Sequence, residues 1–203
     1  MNYIDPKAVK EAENKGRDKF NRYSRQIIGY NNHNFTQSDY DRSDVVITTN
    51  MMTIEIKNRD IPITRYLLYG FILEKKKWEG MLKQFPDYHR EYLNFFQDDY
   101  YIIWDLDRLS SSFEKRWVSR ECTVTTVGGT YGKEKVLKEC LDLDINEAIM
   151  IFKGDKLLSR EEVDELIEQA KREADKSEKE KELENNMIWA TQKSILAELG
   201  LAI

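Results

Sequence analysis

The stretch Ser43-Asp44-Val45-Val46-Ile47-Thr48-Thr49-Asn50-Met51-Met52-Thr53-Ile54-Glu55-Ile56-Lys57 narrows what this chain can fold into more than any other. Alternate residues of a β-strand share a face. Two strands turning at Thr49-Asn50 pair 48 with 51, 47 with 52, 46 with 53, 45 with 54 and 44 with 55, so Asp44 is expected to face Glu55. In that register Val45, Ile47, Met52, Ile54 and Ile56 line one face. The other holds Asp44, Val46, Thr48, Met51, Thr53, Glu55 and Lys57, which puts every ionisable group of the hairpin on one side and at one end.

Like charges directly opposed on a sheet, with Cβ atoms roughly 4.5–5.5 Å apart, are destabilising. A divalent cation compensates them, because hard Mg²⁺ is held by one or two carboxylates and keeps several waters. Lys57 points the same way and can orient a water or neutralise a phosphate oxygen. Asp, then Glu-x-Lys across a hairpin, resembles the PD-(D/E)XK nuclease superfamily, with Ser43 standing where the proline of the motif would be. The resemblance implies an α/β fold with a restriction-endonuclease-like core: a helix, a three-stranded hairpin or meander, a helix and a strand. It further implies Mg²⁺- or Mn²⁺-dependent hydrolysis of DNA, with Asp44 and Glu55 as metal ligands, the Ile56 carbonyl as a third and Lys57 positioning the water. The plainer alternative is an edge hairpin with a solvated polar face.

Residues 6–28 read as a first helix, with Asp5 as cap, Pro6 in the first turn and Ala8, Ala12, Phe20, Ile27 and Ile28 as a partial apolar stripe. In the resembled fold this helix often adds an acidic residue to the metal site. Glu13, which shares a face with Arg17, Phe20 and Ser24, is the candidate; Glu11 is the alternative, and an ordinary solvated charge accounts for either. Phe35 to Asp41 reads as a short strand or a loop, with Asp39 and Asp41 as further carboxylates near the hairpin. Beyond it, Thr64 is expected to cap one helix running to about Phe85, with Leu68, Phe71, Ile72, Trp78 and Leu82 inward. Gly70-Phe71-Ile72-Leu73-Glu74-Lys75-Lys76-Lys77 resembles uncharacterised phage and mobile-element members of the same superfamily, in which a helix with Glu-x-x-Lys follows the Glu-x-Lys strand. That likeness puts Lys77, and with it Glu74, at the mouth of the site as nucleic-acid contacts. A solvent-facing pair, three residues apart on a helix, is the competing reading.

Tyr100-Tyr101-Ile102-Ile103-Trp104-Asp105-Leu106 is a central strand by composition and is expected to complete the helix, three strands, helix, strand order. The aromatics nearby, Tyr88, Tyr92, Phe95, Phe96, Tyr100 and Tyr101, read as core, with base stacking on exposed rings as the alternative. Residues 107–154 read as an edge elaboration: a strand from Trp117 to Thr126, a glycine-rich loop, and a short helix over Lys133–Leu141. The loop is no P-loop, since only three residues separate Gly128 from Gly132 and Glu134 follows the lysine. Lys133 and Lys135, with Arg116 and Arg120, are candidate contacts to a DNA backbone.

A net charge of −5 argues against a nucleic-acid binder until it is divided. Residues 155–184 hold 12 acidic and 7 basic side chains, whereas residues 1–154 hold 24 of each. The body is therefore neutral and the excess acidity belongs to a late stretch. Ser159-Arg160-Glu161-Glu162 forms a capping box opening a long helix whose stripe fades into alternating charge and returns as Met187, Ile188, Trp189, Ile195, Leu196, Leu199, Leu201 and Ile203. Two units follow: a nuclease-like domain over 1–154 and a charged helical tail over 155–203 for self-association or docking to a partner protein. The two cysteines and two histidines are too few for a disulfide scaffold or a Cys/His metal site. With no membrane-length apolar run and no signal-like start, a cytoplasmic protein is expected, in a host cell if the source is a phage. A catalytically inactive nuclease fold that binds DNA or serves as an adaptor is the runner-up, and a helix-mediated interaction protein that binds no nucleic acid is the third reading.

Overall fold

The computed structural model describes residues 6–27, 29–36, 43–67, 70–123 and 135–198. The chain divides into two compact units, 1–159 and 160–203. The first unit begins with α1 (Pro6–Tyr23), β1 (Asn34–Phe35), β2 (Val45–Ile47) and β3 (Met52–Asn58). It continues through α2 (Ile63–Leu67), β4 (Phe71–Glu74), α3 (Lys75–Gln84), β5 (His89–Phe95), β6 (Tyr100–Asp105) and α4 (Leu106–Leu109). It ends with β7 (Val118–Thr123), β8 (Lys135–Leu143), β9 (Met150–Lys153) and β10 (Lys156–Leu157). The second unit is α5 (Arg160–Glu198), along which Val163, Leu166, Ile167 and Ala170 recur at helical spacing. Because β10 pairs with β9, residues 156–157 belong to the sheet of the body rather than to the tail.

Among the described residues, seven strands form the main sheet in the order β1-β2-β3-β5-β6-β9-β10, and β4-β8-β7 form a second. The hairpin has the expected register: Val45 opposes Ile54, Val46 opposes Thr53 and Ile47 opposes Met52. Its turn is wider than a two-residue one. Thr48–Asn50 make a short 3-10 turn and Met51 takes a left-handed conformation (φ 47°), which leaves the register unchanged. β3 then pairs in parallel with β5, Ile54 beside Glu91 and Lys57 beside Asn94. A parallel neighbour needs a crossover, and here α2, β4 and α3 provide it.

The apolar face of the hairpin meets α1. Phe20, Tyr23, Val45, Ile47, Ile54 and Ile56 share one core cluster with residues of β5, β6 and β9. Gly16 lets the helix approach: a Cβ there would meet Ile56 Cγ2 at 3.3 Å. On the opposite face, Phe71 of β4 packs in a tilted contact against Trp104 of β6, 4.8 Å between ring centroids. Trp104 Nε1 donates to the Asp144 carbonyl at 2.8 Å, so the second sheet is fastened to the first by a ring and a hydrogen bond.

Four sequence expectations give way. The single helix over 64–85 is broken into α2, β4 and α3: Gly70 adopts φ +78°, and Phe71–Glu74 pair with Cys140–Leu143 instead of continuing the helix. Leu82 is consequently an exposed residue, and Met81 is the buried one. The expected helix over 133–141 is replaced, from residue 135 on, by β8, whose main chain is bonded on both sides by β4 and β7. The strand that follows the crossover is β5, whose aromatics read in the sequence as core without strand character; Tyr100–Asp105 follows it as an antiparallel neighbour. Asp39, Asp41 and the glycine-rich loop 128–133 lie outside the described residues.

Candidate active site

Past the last β2–β3 rung, Val45 with Ile54, the chain bends at Asp44. Asp44 N donates to the Ile54 carbonyl at 3.0 Å, and the next edge amide, Ile56 N, donates to the Asp44 carboxylate at 2.7 Å. The aspartate side chain thus takes over where the backbone ladder stops. Asp44 and Glu55 are not a rung of that ladder, as the register had suggested, yet they remain electrostatic neighbours. Burial, with the Glu55 charge second, pushes the Asp44 carboxyl up to about 7 against the opposing pull of Lys57, the Ile56 amide and Lys77.

Glu55 is fully buried, and its oxygens are shared between two ammonium groups. Lys57 Nζ lies 2.5 Å from Oε1 and Lys77 Nζ 2.9 Å from Oε2. Burial works to raise the Glu55 pKa, but the two lysines outweigh it and hold the carboxyl below its usual range. Burial likewise disfavours the Lys57 charge, and Glu55, Tyr92 and Asp44 reverse this and raise its pKa. The Lys57 and Lys77 side chains are 34% and 29% exposed, while the carboxylate floor between them is dry.

The donors available to a metal ion are those two carboxylates and a main-chain oxygen. The N–H and C=O of a strand residue point to the same edge. With Ile56 N turned to Asp44, the Ile56 carbonyl faces the same side. Among the described residues no three His, Cys, Asp or Glu side chains gather so as to hold a metal ion by themselves. The set therefore fits a hard cation that fills its remaining positions with water. It fits on condition that one lysine releases a Glu55 oxygen and that Asp44 gives up its proton.

The other expected site residues are placed as follows. Glu13 is exposed on α1, which packs against the Ile56 face of the sheet; Glu55 and Lys57 occupy the opposite face. Glu74 ends β4 and pairs with Lys138 at 2.9 Å, not with Lys77. Lys135 opens β8 opposite Thr123, and Lys133 lies outside the described residues. Arg116 pairs with Glu147 at 2.8 Å and Arg120 with Asp142, so both guanidiniums are engaged by carboxylates of the second sheet and the loop after it.

Two groupings escaped the sequence reading. On the site face, Arg59 lies beside Asn94, Tyr92 and Tyr66. On the α1 face, Tyr30 donates to Glu91, which is 4% exposed, and His89 Nε2 stands 3.8 Å from Glu91 and 3.5 Å from Asp105. His89 Nδ1 is 3.4 Å from Asp107, and burial pushes the Glu91 carboxyl up to about 7. Period-2 alternation from Lys57 was signal enough for Arg59; the rest depends on the parallel partner β5. No helix among the described residues is long and apolar enough to cross a membrane. In comparison with known proteins, no family model matches the chain, and no curated protein matches it either.

Proposed function

We propose that the chain is a metal-dependent nuclease that hydrolyses DNA phosphodiester bonds, built on a restriction-endonuclease-like core. The observation that carries this is the convergence of Asp44, Glu55 and Lys57 on one patch of the sheet, with the Lys57 side chain partly exposed. The element order supports it: α1, three antiparallel strands, α3, and β5 parallel to β3.

Asp44, Glu55 and the Ile56 carbonyl would hold the Mg²⁺ or Mn²⁺. When bound, the ion supplies an acidified water and neutralises charge on the scissile phosphate. Lys57, with its raised pKa, stays an ammonium near neutral pH. It therefore serves as a donor that orients the water and stabilises growing negative charge, not as a base. Lys77 pairs with the second Glu55 oxygen and can meet the substrate backbone from α3. The dry floor under Glu55 strengthens each of these interactions.

The test is cleavage of single-stranded, duplex and branched DNA, and of RNA, by the purified protein with Mg²⁺, Mn²⁺ or EDTA. Metal-dependent products from the wild type, lost in Lys57→Ala and Asp44→Asn variants that keep their fold, support the enzyme. Equal cleavage by either variant rejects the assignment. One observation favours a second reading: both Glu55 oxygens already carry ammonium partners, as they would in a purely structural ion network. Salt-sensitive DNA binding without cleavage under any metal would establish that reading, an inactive nuclease fold acting as a DNA-binding or adaptor protein.

A further inference from the structure

The alternation that puts Glu55 and Lys57 on the site face of β3 puts Arg59 there as well. Two residues of strand advance about 6.6–6.8 Å, so Arg59 stands one step beyond Lys57 in the same row. Its main chain continues the β3–β5 ladder, with Arg59 N donating to the Phe95 carbonyl at 2.7 Å. Its side chain is braced on three sides. Nε donates to Asn94 Oδ1 at 3.1 Å, NH2 lies 3.5 Å from the Tyr92 hydroxyl, and the guanidinium sits 4.8 Å from the centre of the Tyr66 ring. Among the described residues no carboxylate forms an ion pair with it, unlike Arg90, Arg116 and Arg120.

Asn94 adds a second observation. It is 0% exposed, sits beside Lys57 in the parallel register, and its Nδ2 is buried with no hydrogen-bond partner. That nitrogen is sealed from solvent, so what Asn94 offers the site face is its Oδ1, which fixes the orientation of the Arg59 fork. A guanidinium has five N–H donors in a fixed fork, of which two are directed at Asn94 and Tyr92. Stacked, pre-oriented and without a carboxylate of its own, such a fork matches the paired oxygens of a phosphate.

We infer that Arg59, held by Asn94 and Tyr66, is a seat for a backbone phosphate of a nucleic-acid strand, next to the phosphate that lies at Lys57. The choice of nucleic acid over another phosphate rests on the nuclease reading, but binding at the seat does not require cleavage. Arg59 is a substrate-positioning residue: it grips the strand and leaves the reacting atoms to its neighbours.

The experiment uses the full chain and a fluorescein-labelled oligonucleotide, single-stranded and duplex, titrated in EDTA over a range of salt. Wild type is compared with Arg59→Ala, Arg59→Lys and, as a control for lost charge, Lys10→Ala on α1, with thermal melts to confirm folding. Arg59→Ala is expected to bind about tenfold more weakly at low salt and to flatten the log–log salt dependence by about one. Arg59→Lys keeps the slope but not the two-point grip, so it falls between. If Arg59→Ala does not fold, Arg59→Lys decides: wild-type affinity overturns the seat, and a loss supports it. A folded Arg59→Ala with the affinity and slope of wild type, or one no weaker than Lys10→Ala, also overturns it. Arg59-dependent binding without any cleavage leaves the seat standing and removes the nuclease; cleavage with binding indifferent to Arg59 does the reverse.

Discussion

Glu55 shows why charge in this protein cannot be read from spacing alone. The sequence puts a carboxylate opposite another carboxylate and asks for a cation; the fold answers with two lysines, one from the same strand and one from α3. Lys57→Ala leaves Glu55 with Lys77 alone, and since Lys57 is partly exposed the stability cost should be about 1–3 kcal/mol, well short of unfolding. Circular dichroism should therefore report a folded protein with a lowered Tm and no cleavage. Met51 supplies a sharper test of backbone strain. Its φ of 47° costs a residue with a side chain roughly 1–2 kcal/mol, and it is 48% exposed, so little packing is lost on truncation. Met51→Gly should raise Tm by a few degrees despite the added freedom of the unfolded chain; a lower Tm would contradict the assignment of that turn. At this scale Asp44, Glu55 and Lys57 were legible because one face of the hairpin is apolar and fixes the other. Lys77 was found from a helix motif whose supposed partner, Glu74, pairs elsewhere. Asn94 was illegible, since only a parallel partner strand brings it beside Lys57.

Elements were legible where both faces of a strand differ and obscure where nonlocal pairing decides. Phe71–Glu74 is a short apolar run that helix and strand patterns share, and the antiparallel partner β8 settles it. β8 itself, Lys-Val-Leu-Lys-Glu-Cys-Leu-Asp-Leu, has apolar residues at helical spacing, and its two flanking strands override that preference. β5 carries His89, Arg90, Glu91 and Asn94 among its aromatics, which hid a strand buried on both faces. Gly16 tests the α1 contact: Gly16→Leu overfills the gap above Ile56 and should lower stability by about 1–3 kcal/mol in a denaturant melt, with no change in metal affinity. The Tyr30, Glu91, His89 and Asp105 grouping ties the loop after α1 to β5 and β6, and it makes a pH prediction. Burial raises Glu91 to about 7 from an ordinary value of 4.5, so the folded state holds this proton when the unfolded chain has released it. The stability due to that proton is complete below the unfolded value and is lost as pH rises from about 4.5 to 7. Glu91→Gln accepts the Tyr30 hydroxyl without titrating and should show a flatter Tm against pH over that window; an unchanged slope would contradict Glu91 as its source. Asp44, also raised to about 7, leaves the variant a residual slope of the same sign.

Across the whole molecule, charge is divided between a neutral body of 1–154 and an acidic stretch of 155–184, and only the body holds the candidate site. The fold class was legible from the hairpin and the Tyr100–Asp105 strand, while the second sheet was not, because β4 and β7 are each defined only by pairing with β8, a segment with helical spacing. Everything functional depends on whether the patch formed by Asp44, Glu55 and the Ile56 carbonyl takes up a hard cation. Mn²⁺ titration followed by electron paramagnetic resonance measures this without any assumption about substrate. The expected result is one saturable site in the wild type, weakened about tenfold or more by Asp44→Asn and retained by Arg59→Ala. Mn²⁺ uptake identical in wild type and Asp44→Asn, or none in either, would contradict a metal site at that patch.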